Sequence, residues 1–493
     1  MKPVKLWERK GVIYICAFLI PFVMMMVFWA ICRIYPFGDS SILTGDMDIE
    51  FVNFYAYFVN TLKTKNDWSY MFAKTLGGDY PGLAAFILHD PLLFLLLLFP
   101  RDNIVMGIEM IFTLQVSIAG LFASVLLNNR YKTSLTSLLF STGYAFSAFF
   151  FGYLVLTIYF GALMILPLVI YFFLKLIEEG KGFVPFVITA ALFIFINYHM
   201  GFMLVIFLIL LYVSEIIKDT GFLKRFSLIF ISGLTVILID GFFLIRTGLS
   251  LIGEKTTEGA DYGFYRRFPL SRLFVSMFSG TSRNDLRPLI YCSVAAFFFI
   301  IIYFLSSKYG LREKLANLFL LCAVIFSMWI NTFDAVWHGF NNPEEFYWRY
   351  AYYVSIITIA LAYKGFISIV SGDEGEIKKT VLSDSHSVII TAGVMSLYLI
   401  GLFILKDPHV TVETLCVNVL LIFIIAGFCL MVMKDEKYLK PAFVFLLIIT
   451  SAEMLYNSKT AYLSLNALGD PLPEMSEFKA DYHDIDEVIS FIK

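Results

Sequence analysis

The chain has 493 residues, is 59% hydrophobic and only 15% charged, and carries a formal net charge of -2. Soluble domains hold about 25% charged residues, so a water-soluble globule is excluded and an all-α polytopic membrane protein is expected. A balance this close to neutral also excludes a nucleic-acid partner.

In chain order, the first 33 residues have the outline of a signal peptide. The run "GVIYICAFLIPFVMMMVFWAIC" is too long for a signal's apolar core and lacks a small-residue cleavage site, so it is expected to remain as the first span. Apolar stretches of about 17–25 residues can cross the hydrocarbon core. The chain offers about thirteen, near 11–33, 103–127, 134–152, 159–177, 183–198, 200–217, 224–245, 288–306, 315–333, 350–371, 387–405, 412–433 and 440–456. The shorter "PLLFLLLLFP" (91–100), flanked by prolines, reads as a half-inserted or interfacial helix. Cys16, Cys32, Cys292, Cys322, Cys416 and Cys429 lie in or beside apolar runs with no CxxC pair, so neither a disulfide framework nor a zinc site is expected.

Lysine and arginine in short loops set orientation. With Lys2, Lys5, Arg9 and Lys10 cytoplasmic, the loops at Arg130/Lys132, Lys175/Lys181, Lys218/Lys224/Arg225, Lys308/Arg312/Lys314, Lys378/Lys379 and Lys434/Lys437/Lys440 all fall inside. The expected organisation is a multi-span membrane domain over 1–456 and an extracytoplasmic tail over 457–493. The outer segments 34–102, 246–287 and 334–349 are long, whereas the inner loops are short and basic. Chemistry is therefore expected on the outer face.

The first outer loop opens with "TGDMDIEFVNFY", which packs Asp46, Asp48 and Glu50 together. The following "IEFVNFYAYFVNTL" (49–62) sets Phe51, Phe54, Tyr55, Phe58 and Leu62 at helical spacing. That pattern predicts an amphipathic helix in the interface, apolar face toward lipid. "LGGDYPG" (76–82) reads as a turn leading to His89 and Asp90. Acids favour helix N-termini, and Asp48 suits an N-cap. One cap does not account for three acids, so a catalytic or ligand role for at least one of them is the competing reading.

"SILTGDMDIEFVNFYAYF" and "LGGDYPGLAAFILHDPLLFLLLLFP" are followed by "STGYAFSAFFFGY" (141–153), "NYHMGFML" (197–204), "NNPEEFYWRYAYYVS" (341–355) and "EMLYNSK" (453–459). In this order, over nearly the whole chain, they resemble YfhO-type bacterial membrane proteins. The resemblance implies a GT-C-like glycosyltransferase that moves a sugar from a polyprenyl-phosphate donor to a cell-surface glycopolymer, teichoic acid being the implied type. It implies a bacterial cell membrane location, an active site at the outer surface, and a catalytic base that maps onto Asp46. Spacing alone leaves the base open between Asp46 and Asp48. Members of the family continue into a larger outer domain, so the tail reads as the start of one in a short or truncated form.

That chemistry needs a base for the acceptor hydroxyl and cations for the leaving phosphate. Arginine suits the second task because its fork holds two phosphate oxygens. Candidates are Arg266, Arg267, Arg272, Arg283 and Arg287 of the second outer loop, and Arg349 at the mouth of a span. The alternatives are a solvated charged loop for the former and snorkelling to headgroups for Arg349. In "FDAVWHGFNNPEEFYWRY" (333–350), His338, Asn341, Asn342, Glu344 and Glu345 neighbour Trp337 and Trp348, as sugar binding would require; an aromatic belt is the alternative. Glu50 and His89 are read as further substrate contacts, with a structural role the alternative for His89 and also for His199. No cofactor is required and no metal motif is present, although paired acids such as Asp46 and Asp48 would suit Mg²⁺ or Mn²⁺. Glu109, Gln115 and Asp240 fall inside spans and are expected to face the bundle or a wet cavity. A transporter or flippase of lipid-linked glycan is the functional alternative.

Overall fold

A computed structural model describes residues 9–64, 68–71, 77–254, 261–282, 288–341, 343, 347–370, 377–466 and 474–480. The order begins with α1 (Lys10–Ile31), a π turn (Met47–Phe51) running into α2 (Val52–Thr64), and a small antiparallel hairpin of β1 (Tyr70–Met71) and β2 (Gly78–Asp79). Next come α3 (Tyr80–Ile87), a 3-10 turn (Pro91–Leu98), α4 (Ile104–Arg130), α5 (Ser137–Ala145), α6 (Ala148–Gly152) and a 3-10 turn (Leu154–Tyr159). The middle of the chain forms α7 (Phe160–Glu179), α8 (Phe183–Ile196), α9 (Tyr198–Lys218), α10 (Phe226–Glu254), α11 (Leu270–Val275) and α12 (Val294–Leu305). It closes with α13 (Leu311–Trp329), α14 (Asn331–Trp337), α15 (Tyr352–Val370), α16 (Ile377–Ile404), α17 (Val412–Lys434) and α18 (Leu439–Asn466).

The all-α polytopic architecture stands. Every one of the predicted stretches carries helix, but among the described residues nine helices are long and apolar enough to span, or ten if a bent pair counts as one. The difference has local causes. The stretch 134–152 breaks into α5 and α6 where the Ala148 amide turns to the Tyr291 carbonyl (2.9 Å). α8 stops at Asn197, whose side chain instead caps α9 through the Met200 amide (2.9 Å). α12 has only 12 residues because 288–293 before it are not helical. α13 opens with Arg312, Glu313 and Lys314, which dilute its apolar length.

Two expectations for the first loop change. "DYPG" opens a helix: Asp79 caps α3 by accepting from the Gly82 amide (2.9 Å), with proline in the first turn. α2 is amphipathic, but its face of Val52, Tyr55, Phe58 and Val59 is buried inside the protein, not turned to lipid. The Pro91–Leu98 turn and α3 form the bent pair, crossing at 97° with Asp90 at the break.

Close backbone approach fixes the centre of the bundle. A Cβ on Gly365 of α15 would stand 2.0 Å from the Phe299 carbonyl oxygen of α12. Small residues permit such contacts between membrane helices. Gly365→Ala is therefore expected to destabilise the protein by about 1–3 kcal/mol through overpacking, read as a lower unfolding midpoint in detergent.

The bundle has two polar ends. At one, Arg130 pairs with Glu178, Lys364 with Glu313, and Lys218 with Glu215, and Lys364 lies within electrostatic reach of all the other pairs. These are the ends that loop charges predict to be inside. At the other end lie Asp46, His199, Arg267, His338 and Arg349. The tail segment 474–480 joins this second end: Asp39 accepts from the Ser476 amide (3.0 Å), and the Met475 amide donates to the Asp39 carbonyl (2.6 Å).

Candidate functional site

Asp46 stands at the head of the π turn. Gly45 adopts a left-handed φ of +53°, and the Asp48 amide closes onto the Gly45 carbonyl (3.0 Å). The Asp46 side chain does not cap its own helix. It is half-buried, whereas Asp48 and Glu50 are exposed. Asp48 lies within the π turn and not at its N-cap, so the capping expectation for it is replaced.

The π turn packs on the 3-10 turn Leu154–Tyr159. Tyr159, buried, is within electrostatic reach of both Arg349 and Asp46. Arg349 Nη1 is 3.5 Å from His199 Nε2. The ring of His199 stacks on Tyr159 at 6.4 Å and tilts over His338 at 6.1 Å. Arg349 thus turns into the protein, which replaces the snorkelling alternative.

A second layer lies behind. Arg267 Nε is 3.0 Å from Asp334 Oδ2, and both side chains are buried. The Arg267 guanidinium lies 4.2 Å over the Tyr347 ring, and Tyr153 donates from its hydroxyl to the Tyr347 carbonyl. His338 Nδ1 is 2.8 Å from the Asp334 carbonyl oxygen, and its buried Nε2 has no hydrogen-bond partner among the described residues. Strand-like pairing places these groups: the Arg267 amide donates to the Trp329 carbonyl (2.9 Å) and the Asn331 amide to Tyr265 (3.0 Å).

Burial pushes the Asp334 carboxyl up to about 7, with Arg267 pulling the other way. Burial first, then the Arg349 charge, pulls His338 down to about 3. The signs are opposite. Asp334 contributes stability below its unfolded value of about 3.9, lost as pH rises through about 7. His338 contributes stability above its unfolded value of about 6.5, lost as pH falls toward about 3. The midpoint difference between Asp334→Asn and wild type is expected to rise with pH over the first window. For His338→Gln it is expected to rise as pH falls through the second. Thermal melts across pH check both.

The remaining candidates are placed elsewhere. Arg266 is exposed and lies 5.2 Å over the Trp329 ring. Arg272 sits half-buried on α11, and Asn341 half-buried after α14. His89 stacks on Phe195 at 4.3 Å, with Nδ1 3.0 Å from the Phe195 carbonyl oxygen. Asn342, Glu344, Glu345, Arg283 and Arg287 lie outside the described residues. Trp337 is stacked on Tyr350 at 4.3 Å, and Trp348 donates to the Met328 carbonyl (2.8 Å). Both tryptophans are buried, so neither offers the sugar-stacking face expected of it. Asp334 and Tyr159 escaped sequence reasoning. Asp334 had a signal, its i,i+4 spacing to His338; Tyr159 lies in an apolar run that gave none. Among the described residues no group of three or more His, Cys, Asp or Glu side chains is placed to hold a metal ion.

A family model described as bacterial membrane protein YfhO matches residues 17–493. A solved structure of ArnT from Cupriavidus metallidurans in the apo state is similar at 12% identity and a TM-score of 0.44, covering 91% of this chain and 76% of that one. A likeness that loose carries no functional weight. No curated protein matches.

Proposed function

We propose, starting from a chain that belongs to the YfhO family of bacterial membrane proteins, that it is a GT-C-type glycosyltransferase working at the outer membrane face. Its donor is a polyprenyl-phosphate-linked sugar and its acceptor a teichoic-acid-like cell-surface glycopolymer. The N-terminus is cytoplasmic; the site and C-terminus are extracytoplasmic. The observation that carries this reading is that a half-buried carboxylate, Asp46, and an inward guanidinium, Arg349, share Tyr159 as a neighbour.

Asp46 takes the proton of the acceptor hydroxyl as its oxygen attacks the anomeric carbon. The bond from that carbon to the phosphate oxygen breaks, and the phosphate leaves with the electron pair. Arg349 meets that developing charge, where fixed donors in a water-poor site act most strongly. Arg267, paired with Asp334 and lying over the Tyr347 ring, braces the segment that carries Arg349. Direct displacement of this kind needs one carboxylate, which fits the exposure of Asp48 and Glu50.

The test is transfer of a labelled sugar from polyprenyl phosphate to surface polymer by proteoliposomes holding the chain. The bent pair of α3 and the Pro91–Leu98 turn favours the alternative, a flippase, since transporters use broken helices. Label that changes leaflet but stays on its lipid would establish that alternative and sink the transferase.

A further inference from the structure

Beneath the helix that leads away from Asp46 lies a small cavity of about 10 Å³. Four polar side chains line it: Tyr55 of α2, Asp90 at the break of the bent pair, Gln115 of α4, and Thr157 of the Leu154–Tyr159 turn. The rest of the wall is isoleucine and leucine, and among the described residues no Lys, Arg or His lines it. Asp90 is 8% exposed and Gln115 3% exposed. Asp90 Oδ1 accepts from the Leu92 amide (2.9 Å) and Oδ2 from Gln115 Nε2 (2.6 Å). Gln115 Oε1 is buried without a hydrogen-bond partner among the described residues. A Cβ on Gly161 of α7 would stand 2.2 Å from Asp90 Oδ2, so this glycine leaves room for the carboxylate.

A buried carboxylate that receives two N–H groups and meets no cation is expensive to keep charged. A buried amide oxygen with no donor adds to the cost. One positively charged occupant relieves both. We propose that this cavity binds one small monovalent cation through the oxygens of Asp90, Gln115, Tyr55 and Thr157. Hard oxygen donors select alkali and alkaline-earth ions over softer metals. The volume suits an occupant of about the size of one water. A single carboxylate balances one positive charge, whereas a divalent ion would leave a second charge among apolar walls. Tyr55 Oη and Thr157 Oγ1 form a long hydrogen bond of 3.4 Å, wider than the usual hydroxyl pair at about 2.7–2.8 Å, so both oxygens keep lone pairs for an ion.

The bound ion would tie α2, which continues the Asp46 turn, to the turn that ends in Tyr159. Because it binds only the folded chain, it stabilises by mass action. The experiment uses the purified full chain in nanodiscs, melted in sodium, potassium or N-methylglucamine chloride at equal ionic strength. Sodium is expected to raise the midpoint saturably over N-methylglucamine. Asp90→Asn is expected to abolish that rise, and Tyr55→Phe to raise the half-saturating sodium concentration about tenfold. Tyr55→Phe keeps the ring, so it reports even if Asp90→Asn does not fold. A midpoint indifferent to sodium, or the same half-saturation in Tyr55→Phe as in wild type, would mean a water at most and overturn the site. No sugar transfer enters the readout, so this outcome is independent of the proposed reaction.

Discussion

Asp46→Asn is expected to lower sugar transfer by about 100- to 10,000-fold, the usual worth of a positioned general base. Asp48→Asn is expected to stay within about twofold of wild type, as for an exposed side chain away from the chemistry. Asparagine keeps the shape of the carboxylate and loses its basicity, so expression and melting behaviour should be close to wild type in both variants. The contrast rests on the π turn, which leaves Asp46 half-buried toward Tyr159 and turns Asp48 and Glu50 to the surface. Equal activity of the two variants in the labelled-sugar assay would remove Asp46 from the reaction.

Arg349→Ala is expected to cost about 100- to 1,000-fold in kcat, by analogy with loss of one preorganised donor to a developing anion. Arg349→Lys should recover only part of this, because an ammonium cannot present a two-pronged fork to phosphate. Arg349 also lies in electrostatic reach of Tyr159 and approaches His199, so its loss can disturb the packing around it. Tyr159→Phe controls for that: it removes the neighbouring hydroxyl and leaves the guanidinium in place. A phosphate role predicts a far larger loss in Arg349→Ala than in Tyr159→Phe. If the two variants fall equally, Arg349 merely supports the tyrosine.

Much of the fold was legible because hydrophobic length is what the bilayer demands. Every apolar stretch became helix, and Arg130, Lys218 and Lys364 gather with their acidic partners at one end. The breaks were not legible. Nothing in the run 134–152 announces that the Ala148 amide will leave its helix for Tyr291, a partner far along the chain. The face of α2 was readable as apolar, but composition cannot tell lipid from protein interior, and the protein took it. The same ambiguity left Arg349 open between a phosphate contact and snorkelling, since a basic residue at a span mouth can point either way. Asp46 and Asp48 could not be ranked by spacing because a π turn has a different period from an α-helix. Trp337 and Trp348 looked like an exposed aromatic pair because buried and interfacial tryptophans have the same sequence neighbours.

The ion pairs at the far end from Asp46 join α4 to α7 and α13 to α15, with the α9 pair in electrostatic reach. Rods riveted at one tip can spread only at the other, like the ribs of a fan. A parting that admits the proposed lipid donor would therefore widen toward Asp46 and narrow toward Lys364.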